Sequence, residues 1–342
     1  MKSRLAAELE ASDARLNPMR KAAVLFNARS GGRRNRRESD LREILQILAD
    51  AGVDATLVRT QSSQDAAAQA RQAIQNGCDT IFACGGDGTV HDVLQGMAGS
   101  RAALAVIPMG TANALAHDLR IPSDPARASR AALQAEPRRI ALGCVTVHGP
   151  ANMPVTRYFT VAVGIGVDAH LFYKLQASVK QRLGMAAYYA KAWHLWCTHR
   201  MAGFQVQVQG GPDGEIVHSG VTEMLAVRIQ NFGGVLQELA PGASLERDDL
   251  RIVICHSASR ISYLLYVIRG MLRARWRVRG VELTFSKSVR CSTPSSATDA
   301  DSCKVYVEAD GELVGTLPAE INMVPDALTI LVPARRRTIL RR

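Results

Sequence analysis

Thr80-Ile81-Phe82-Ala83-Cys84-Gly85-Gly86-Asp87-Gly88-Thr89 sets an apolar run directly against a glycine-rich turn. Thr80–Cys84 is short and almost wholly apolar, which reads as a strand buried on both faces. A helix is expected from about Thr89. Glycines at such a junction let the backbone approach a ligand closely, and the helix N-terminus presents N–H groups to an anion.

The same rhythm extends on both sides of this stretch. Val24–Phe26 reads as a strand, followed by the turn-rich loop Asn27-Ala28-Arg29-Ser30-Gly31-Gly32 and a helix with Leu41, Ile44, Leu45 and Leu48 on one face. Val53–Arg59 is a strand, and Ser63 is positioned to cap the Ala-rich helix that ends before Gly77. Leu104–Ile107 is a further strand, with helices at Ala112–Leu119 and Pro125–Gln134. Strands alternating with helices imply parallel crossovers, so 21–139 is expected to be an open, mostly parallel α/β domain after an N-terminal extension over 1–20.

Beyond about Arg139 the pattern changes to short strand-like runs. They fall at Ile140–Val147, Tyr158–Val163, Phe204–Val208, Glu223–Gln230, Leu250–Cys255, Val281–Phe285, Val305–Glu308 and Ala327–Val332. Gly/Pro turns between many of them point to a β-sandwich or barrel over 140–333. Helices are expected near Gly184–Cys197 and Ser259–Arg273, a mobile loop at Cys291–Ser302, and a basic tail over 334–342.

Composition bounds the function classes. The 342 residues suggest two domains, and 47% apolar with 21% charged residues is ordinary for a globular chain. No uncharged apolar run approaches the ~18 residues of a membrane span. Met1–Leu16 is charged and lacks the apolar centre of a signal peptide. Seven cysteines without a C-x-x-C spacing exclude a zinc ribbon and favour a reducing cytoplasm. The net charge of +11 points to an anionic partner.

Three glycine-bearing loops are expected on one sheet edge: Asn27–Gly32, Cys84–Thr89 and Pro108-Met109-Gly110-Thr111-Ala112-Asn113. In open α/β sheets ligands bind at the carboxyl ends of the strands, so the three together read as a phosphate-binding rim. There is no G-x-x-x-x-G-K-[ST], which excludes a P-loop. Gly164-Ile165-Gly166-Val167-Asp168-Ala169 matches G-x-G-x-x-A. However, no acid follows Asp168 until Asp213, so a Rossmann site is rejected.

Gly85-Gly86-Asp87-Gly88-Thr89 with Pro108–Asn113 resembles the diacylglycerol kinase catalytic-domain family, which includes sphingosine kinases and bacterial soluble lipid kinases. The resemblance runs from about Val24 to Pro333. It takes in Asn27–Gly31, Gly164–Ala169, Asn231-Phe232-Gly233-Gly234 with Pro241-Gly242-Ala243, Asp310-Gly311-Glu312, and Val324–Pro333. It implies an α/β nucleotide-binding domain, a C-terminal β-sandwich with inserted helices, and ATP- and Mg²⁺-dependent phosphorylation of a lipid alcohol.

By that resemblance ATP rests on Gly85, Gly86, Asp87, Gly88, Thr89, Val90 and His91, with Asn27, Ser30, Gly31, Thr60, Gly110, Thr111 and Asn113 around it. Glu312 is the proton acceptor. Asp87 is assigned to organising metal or water at the phosphates, since an acid beside phosphate needs an intervening cation or hydrogen bond. The family's structural metal loop maps to Leu245, Asp248 and Leu250, with Arg247 where an acid is expected. Asn113-Ala114-Leu115-Ala116-His117 also departs from the family pattern, losing an acid and an arginine.

Two acid-free stretches, Ala169–Pro212 and Leu250–Val281, carry clustered cations, the second with seven arginines. They point to transient docking on an anionic membrane surface, with nucleic acid as the disfavoured reading. The expected function is a cytoplasmic, peripherally membrane-associated lipid kinase. A kinase of a soluble metabolite or dinucleotide, and a non-catalytic nucleotide or lipid sensor, remain the alternatives. The choice among diacylglycerol, sphingoid base and ceramide, and the oligomeric state (a homodimer included), stay open.

Overall fold

The computed structural model describes residues 19–27, 34–148, 153–166, 202–209, 214–233, 238–256, 260–274, 276–293 and 304–334. They fall into two compact units. One comprises the chain up to Thr111, Leu119–Arg139 and the chain from Leu328; the other comprises Ala112–Asp118 and Ile140–Ala327.

The first unit is a parallel sheet of β1 (Lys21–Asn27), β2 (Asp54–Thr60), β3 (Thr80–Gly85) and β4 (Ala103–Pro108), in the order β2-β1-β3-β4. The end of the last strand, β16 (Ala319–Val332), adds to it in parallel, with Thr329 beside Ala103. Helices α1 (Arg34–Asp50), α2 (Ser63–Gln75), α3 (Asp87–Met97) and α5 (Pro125–Leu133) alternate with the strands. Leu41, Ile44 and Leu48 on one face of α1 are buried with Val24, Phe82 and Ile107. Burying such a side chain contributes roughly 1.5–3 kcal/mol. The cap of α2 is Ser62, whose side chain accepts the Asp65 N–H at 3.2 Å, one residue before the expected Ser63. Gly96 lets α3 lie against α2, because a Cβ there would fall 2.1 Å from the Ala67 carbonyl oxygen.

The second unit is antiparallel. One sheet runs β12-β11-β10-β7-β14-β15, formed by Val281–Ser286, Leu250–Cys255, Glu223–Val227, Ala162–Gly166, Tyr306–Ala309 and Glu312–Thr316. Opposite it, β16 pairs with β13 (Ser288–Ser292), then β8 (Phe204–Gln209) and β9 (Glu215–Val221); β5 (Glu136–His148) pairs with β6 (Pro154–Phe159). In β8 the alternation sends Phe204, Val206 and Val208 inward and the glutamines outward. They join Phe159, Ile165, Met224, Ile252, Val307 and Ile321 in one core.

Several elements differ from the sequence reading. Tyr158–Val163 is two strands, because Thr160 and Val161 form a turn between β6 and β7. Strand β16 starts at Ala319, well before the expected Ala327. The strand runs through Pro325 and Asp326, the latter at φ +49°. Cys291 and Ser292 belong to β13 rather than to a loop. The expected N-terminal extension, the helix near Gly184–Cys197, the 294–303 loop and most of the basic tail lie outside the described residues.

Candidate active site

Strand register brings the expected rim together. Asn27 stands opposite Thr60, Phe26 opposite Cys84 and Gly85 opposite Pro108, so β1 to β4 all end at one sheet edge. Gly86 caps α3 in an extended conformation and supplies no side-chain hydrogen bond. The first helical bond runs from the Val90 N–H to the Gly86 carbonyl, which leaves the Gly88 and Thr89 N–H groups without an acceptor inside the helix. A Cβ on Gly85 would lie 2.3 Å from Thr89 Oγ1, and one on Gly86 3.3 Å from the Gly110 Cα. Met109 donates to the Gly85 carbonyl at 2.9 Å. The turns after β3 and β4 are therefore in backbone contact, a cradle that side chains at these glycines would fill.

Beneath the cradle Thr89, Val90 and His91 are buried, while Asp87 and Gly88 are half-buried and Gly110 and Thr111 exposed. Thr60 is fully buried and its hydroxyl donates to the Phe26 carbonyl at 3.2 Å, so its side chain ties β2 to β1. Burial raises the Cys84 thiol far above its usual range, so it is no nucleophile. Ser30 and Gly31 lie outside the described residues. Asn113, at φ +49°, opens the short helix α4 (Ala114–Asp118) in the second unit.

Glu312 is placed by a hairpin. Ala309 pairs with Glu312 across a two-residue turn in which Asp310 (φ +49°) and Gly311 (φ +84°) both have the left-handed backbone that such turns require. The Asp310 carboxylate accepts N–H groups from Val161 (2.9 Å), Ala162 (3.0 Å) and Thr160 (3.0 Å). The Gly311 N–H donates to Glu308 Oε2 at 2.7 Å. The turn is thus held from both flanks, and Glu312 stands half-buried on its far side.

The Leu245–Leu250 loop is organised around Arg228, which the sequence reading did not single out. This side chain is fully buried. Its guanidinium donates to the carbonyls of Leu245 (3.1 Å), Arg247, Asp249 (3.1 Å) and Ala141 (2.8 Å). Burial lowers its pKa to about 10 against the opposing pull of Asp248 and Asp249, so it is charged at neutral pH. Asp249 is further engaged by the fork of Arg247, at 2.6 and 2.7 Å. Of the three expected metal ligands, Leu245 alone has its carbonyl engaged by this guanidinium, and a divalent ion there would share that oxygen with a fixed cation.

Two further anchors were not read from the sequence. Asp118 accepts the N–H groups of Gln230 (3.0 Å) and Asn231 (2.9 Å), and Gly233 lies against the His117 ring, tying α4 to the Asn231–Gly233 stretch. Helix α6 (Arg260–Met271) packs through Tyr266, Arg269 and Gly270. Tyr266 donates to the Leu239 carbonyl and Arg269 stacks on its ring at 4.6 Å. Its aliphatic side faces outward: Ile261 is 69% exposed, Leu265 44% and Leu272 65%, with Trp276 and three exposed arginines (Arg273, Arg277, Arg279) following.

Fold and loops define a protein of the α/β-plus-β-sandwich class. Residues 21–145 match the model of the diacylglycerol kinase catalytic domain, and 161–332 that of the YegS C-terminal NAD kinase beta sandwich-like domain. A Diacylglycerol kinase of Bacillus subtilis is 27% identical over 321 residues, covering 93% of this chain and 98% of that one. A Diacylglycerol kinase of Staphylococcus aureus is 24% identical over 316 residues, covering 92% and 93%. A solved diacylglycerol kinase structure from Bacillus anthracis superposes with a TM-score of 0.64 at 18% identity, covering 93% and 97%. The chain belongs to the family that joins a diacylglycerol kinase catalytic domain to this β-sandwich domain. It is accordingly a kinase that transfers phosphate to an alcohol.

Proposed function

We propose that this protein is a lipid kinase that transfers the γ-phosphate of ATP, bound as its Mg²⁺ complex, to the hydroxyl of a lipid such as diacylglycerol or a sphingoid base. The observation that carries the reading is the register that gathers Asn27, Thr60, Gly85 and Pro108 at one sheet edge, where uncapped Gly86 opens α3. Relatives named diacylglycerol kinase, aligned over more than nine-tenths of the chain, support the choice of acceptor.

In this reading the backbone of Gly85–His91, with Gly110 and Thr111 beside it, receives the phosphates. Asn27 flanks the nucleotide at the end of β1 and Thr60 fixes the rim, while Ser30, Gly31 and Asn113 keep the nucleotide-binding roles that the family resemblance gives them. Asp87 orients the Mg²⁺ that enters with ATP. The lipid oxygen bonds to the γ-phosphorus, the bond to the ADP oxygen breaks, and Glu312 takes the hydroxyl proton. No step requires a metal on the Leu245–Leu250 loop.

The lipid is reached at a bilayer. Ile261, Leu265 and Leu272 form an outward stripe with arginines beside it, which matches an anionic headgroup layer over an apolar interior. Each cation near such a surface contributes about 1 kcal/mol, enough together for transient docking. No helix among the described residues is long and apolar enough to cross a membrane. In this reading the enzyme works at the cytoplasmic face, where ATP is at hand.

The test is phosphate transfer from labelled ATP to a panel of lipid alcohols in mixed micelles. Label in a phosphorylated lipid is expected. Label only in a soluble metabolite or dinucleotide, or nucleotide binding without transfer to any lipid, would overturn the reading.

A further inference from the structure

Three side chains of the second unit, none of them assigned a role above, converge. His218 lies on β9, His256 directly follows β11, and Glu282 is the second residue of β12. One ligand atom of each lies within 4.8 Å of the others. His256 Nε2 stands 3.3 Å from Glu282 Oε1, and His218 Nδ1 3.8 Å from Glu282 Oε2. The two imidazole rings are 5.2 Å apart and tilted by 45°.

The backbone holds these positions independently of the side chains. His256 donates its N–H to the Gly280 carbonyl at 2.8 Å, and Glu282 pairs with Ile254 in the β11–β12 ladder. His218 pairs with Val206 in the other sheet. The cluster therefore spans the edges of the two sheets of the sandwich.

His256 Nε2 is sealed from solvent and has no aligned hydrogen-bond partner among the described residues. A buried polar atom left in that state is costly. A metal ion would satisfy it. Zinc binds imidazole nitrogen at 2.0–2.1 Å and carboxylate oxygen at 2.0–2.2 Å, so tetrahedral ligands stand about 3.3–3.5 Å apart. The observed separations of 3.3 and 3.8 Å, to the two oxygens of Glu282, are close to that spacing, and side-chain rotation has to close the widest one, of up to 4.8 Å. Two nitrogens and one oxygen suit a borderline transition metal and not Mg²⁺, which prefers an all-oxygen octahedron. Glu282 is 59% exposed, which gives the ion an entry path and leaves a fourth position for water.

We propose that His218, His256 and Glu282 form a binding site for one divalent transition metal, Zn²⁺ being the favoured ion, which ties β9 to the paired strands β11 and β12. The site supports the sandwich and takes no part in phosphoryl transfer.

Full-length protein stripped of metal is titrated with Co²⁺ and then Zn²⁺. One equivalent of Co²⁺ with the intense visible absorption of a four-coordinate site, displaced by Zn²⁺, is expected. His256→Ala and Glu282→Gln should each weaken binding more than about 10-fold, since even outer-shell changes cost that much. Zn²⁺ should raise the melting temperature of the wild type and not that of the variants. No binding, or a stoichiometry the substitutions leave unchanged, overturns the proposal. If the variants fail to fold, X-ray absorption of the wild-type zinc form decides it. Two imidazoles in the first shell support the site, and a shell without imidazole overturns it. Every readout is metal binding, so its failure leaves the kinase reading untouched.

Discussion

Asp310 and Ala162 hold each other reciprocally: the Asp310 N–H donates to the Ala162 carbonyl at 2.9 Å, and Asp310 Oδ1 accepts the Ala162 N–H at 3.0 Å. The turn that presents Glu312 is thus bolted to the first residue of β7. Asp310→Ala removes the acceptor for three N–H groups and places a non-glycine residue without a polar side chain at positive φ. A loss of roughly 2–4 kcal/mol is expected, read as a lower urea midpoint, together with reduced turnover. Asp310→Asn, which tolerates the backbone and keeps one acceptor oxygen, should recover part of both.

Glu312→Gln keeps size and hydrogen bonding while removing the base. Lipid phosphorylation should fall by roughly 10²–10⁴-fold, the range typical of a general base. Nucleotide affinity, measured by calorimetry, should barely change. Turnover like the wild type would remove Glu312 from the mechanism.

Gly85→Ala forces a methyl group into the Thr89 side chain. The clash lies where β3 turns into α3, so the expected outcome is weaker ATP binding with a lower melting temperature. Gly52→Ala is the control: its Cβ meets nothing within 4 Å, and only its φ of +76° is strained. It should cost stability and leave ATP affinity alone.

Arg228→Met deletes a buried cation that serves the carbonyls of Ala141, Leu245, Arg247 and Asp249. Destabilisation of about 3 kcal/mol or more is expected, because several buried acceptors lose their donor at once. In the absence of nucleotide and of zinc, the wild-type melting temperature should be insensitive to EDTA. A marked drop on chelation that Mg²⁺ restores would show that the Leu245–Leu250 loop holds a metal after all.

Ile261→Glu with Leu272→Glu places two acids on the outward side of α6. Co-sedimentation with vesicles containing anionic lipid should fall by at least about 10-fold, since each apolar side chain contributes up to roughly 1.5–3 kcal/mol when buried. Activity on a short-chain, water-soluble diacylglycerol should persist. Equal loss on both substrates would argue that the stripe serves folding instead.

Much of this architecture was legible because it rests on local patterns. The apolar run Thr80–Cys84 and the glycines after it fixed a strand end, and parallel pairing then placed the neighbouring strand ends beside it. The two-residue bend before Glu312 could be read from Asp-Gly alone. Arg228 could not, because its role comes from four carbonyls that are distant in sequence or unremarkable in type. The packed side of helix α6 could not be read either. Tyr266 and Arg269 form it, the tyrosine hydroxyl and guanidinium both reaching the Leu239 carbonyl, a partner that no local pattern announces. Tyr158–Val163 looked continuous because the acid that bends it, Asp310, is 150 residues away.

The pairing of Thr329 with Ala103 bears on biosynthesis. Strand β4 leaves the ribosome some two hundred residues before the segment that covers its edge. During that interval the nascent amino-terminal sheet carries a bare row of amide and carbonyl groups, which invites pairing with other chains. Release of a fragment that stops short of Leu328 should therefore yield aggregates, and a chaperone that shields strand edges should matter most before translation ends.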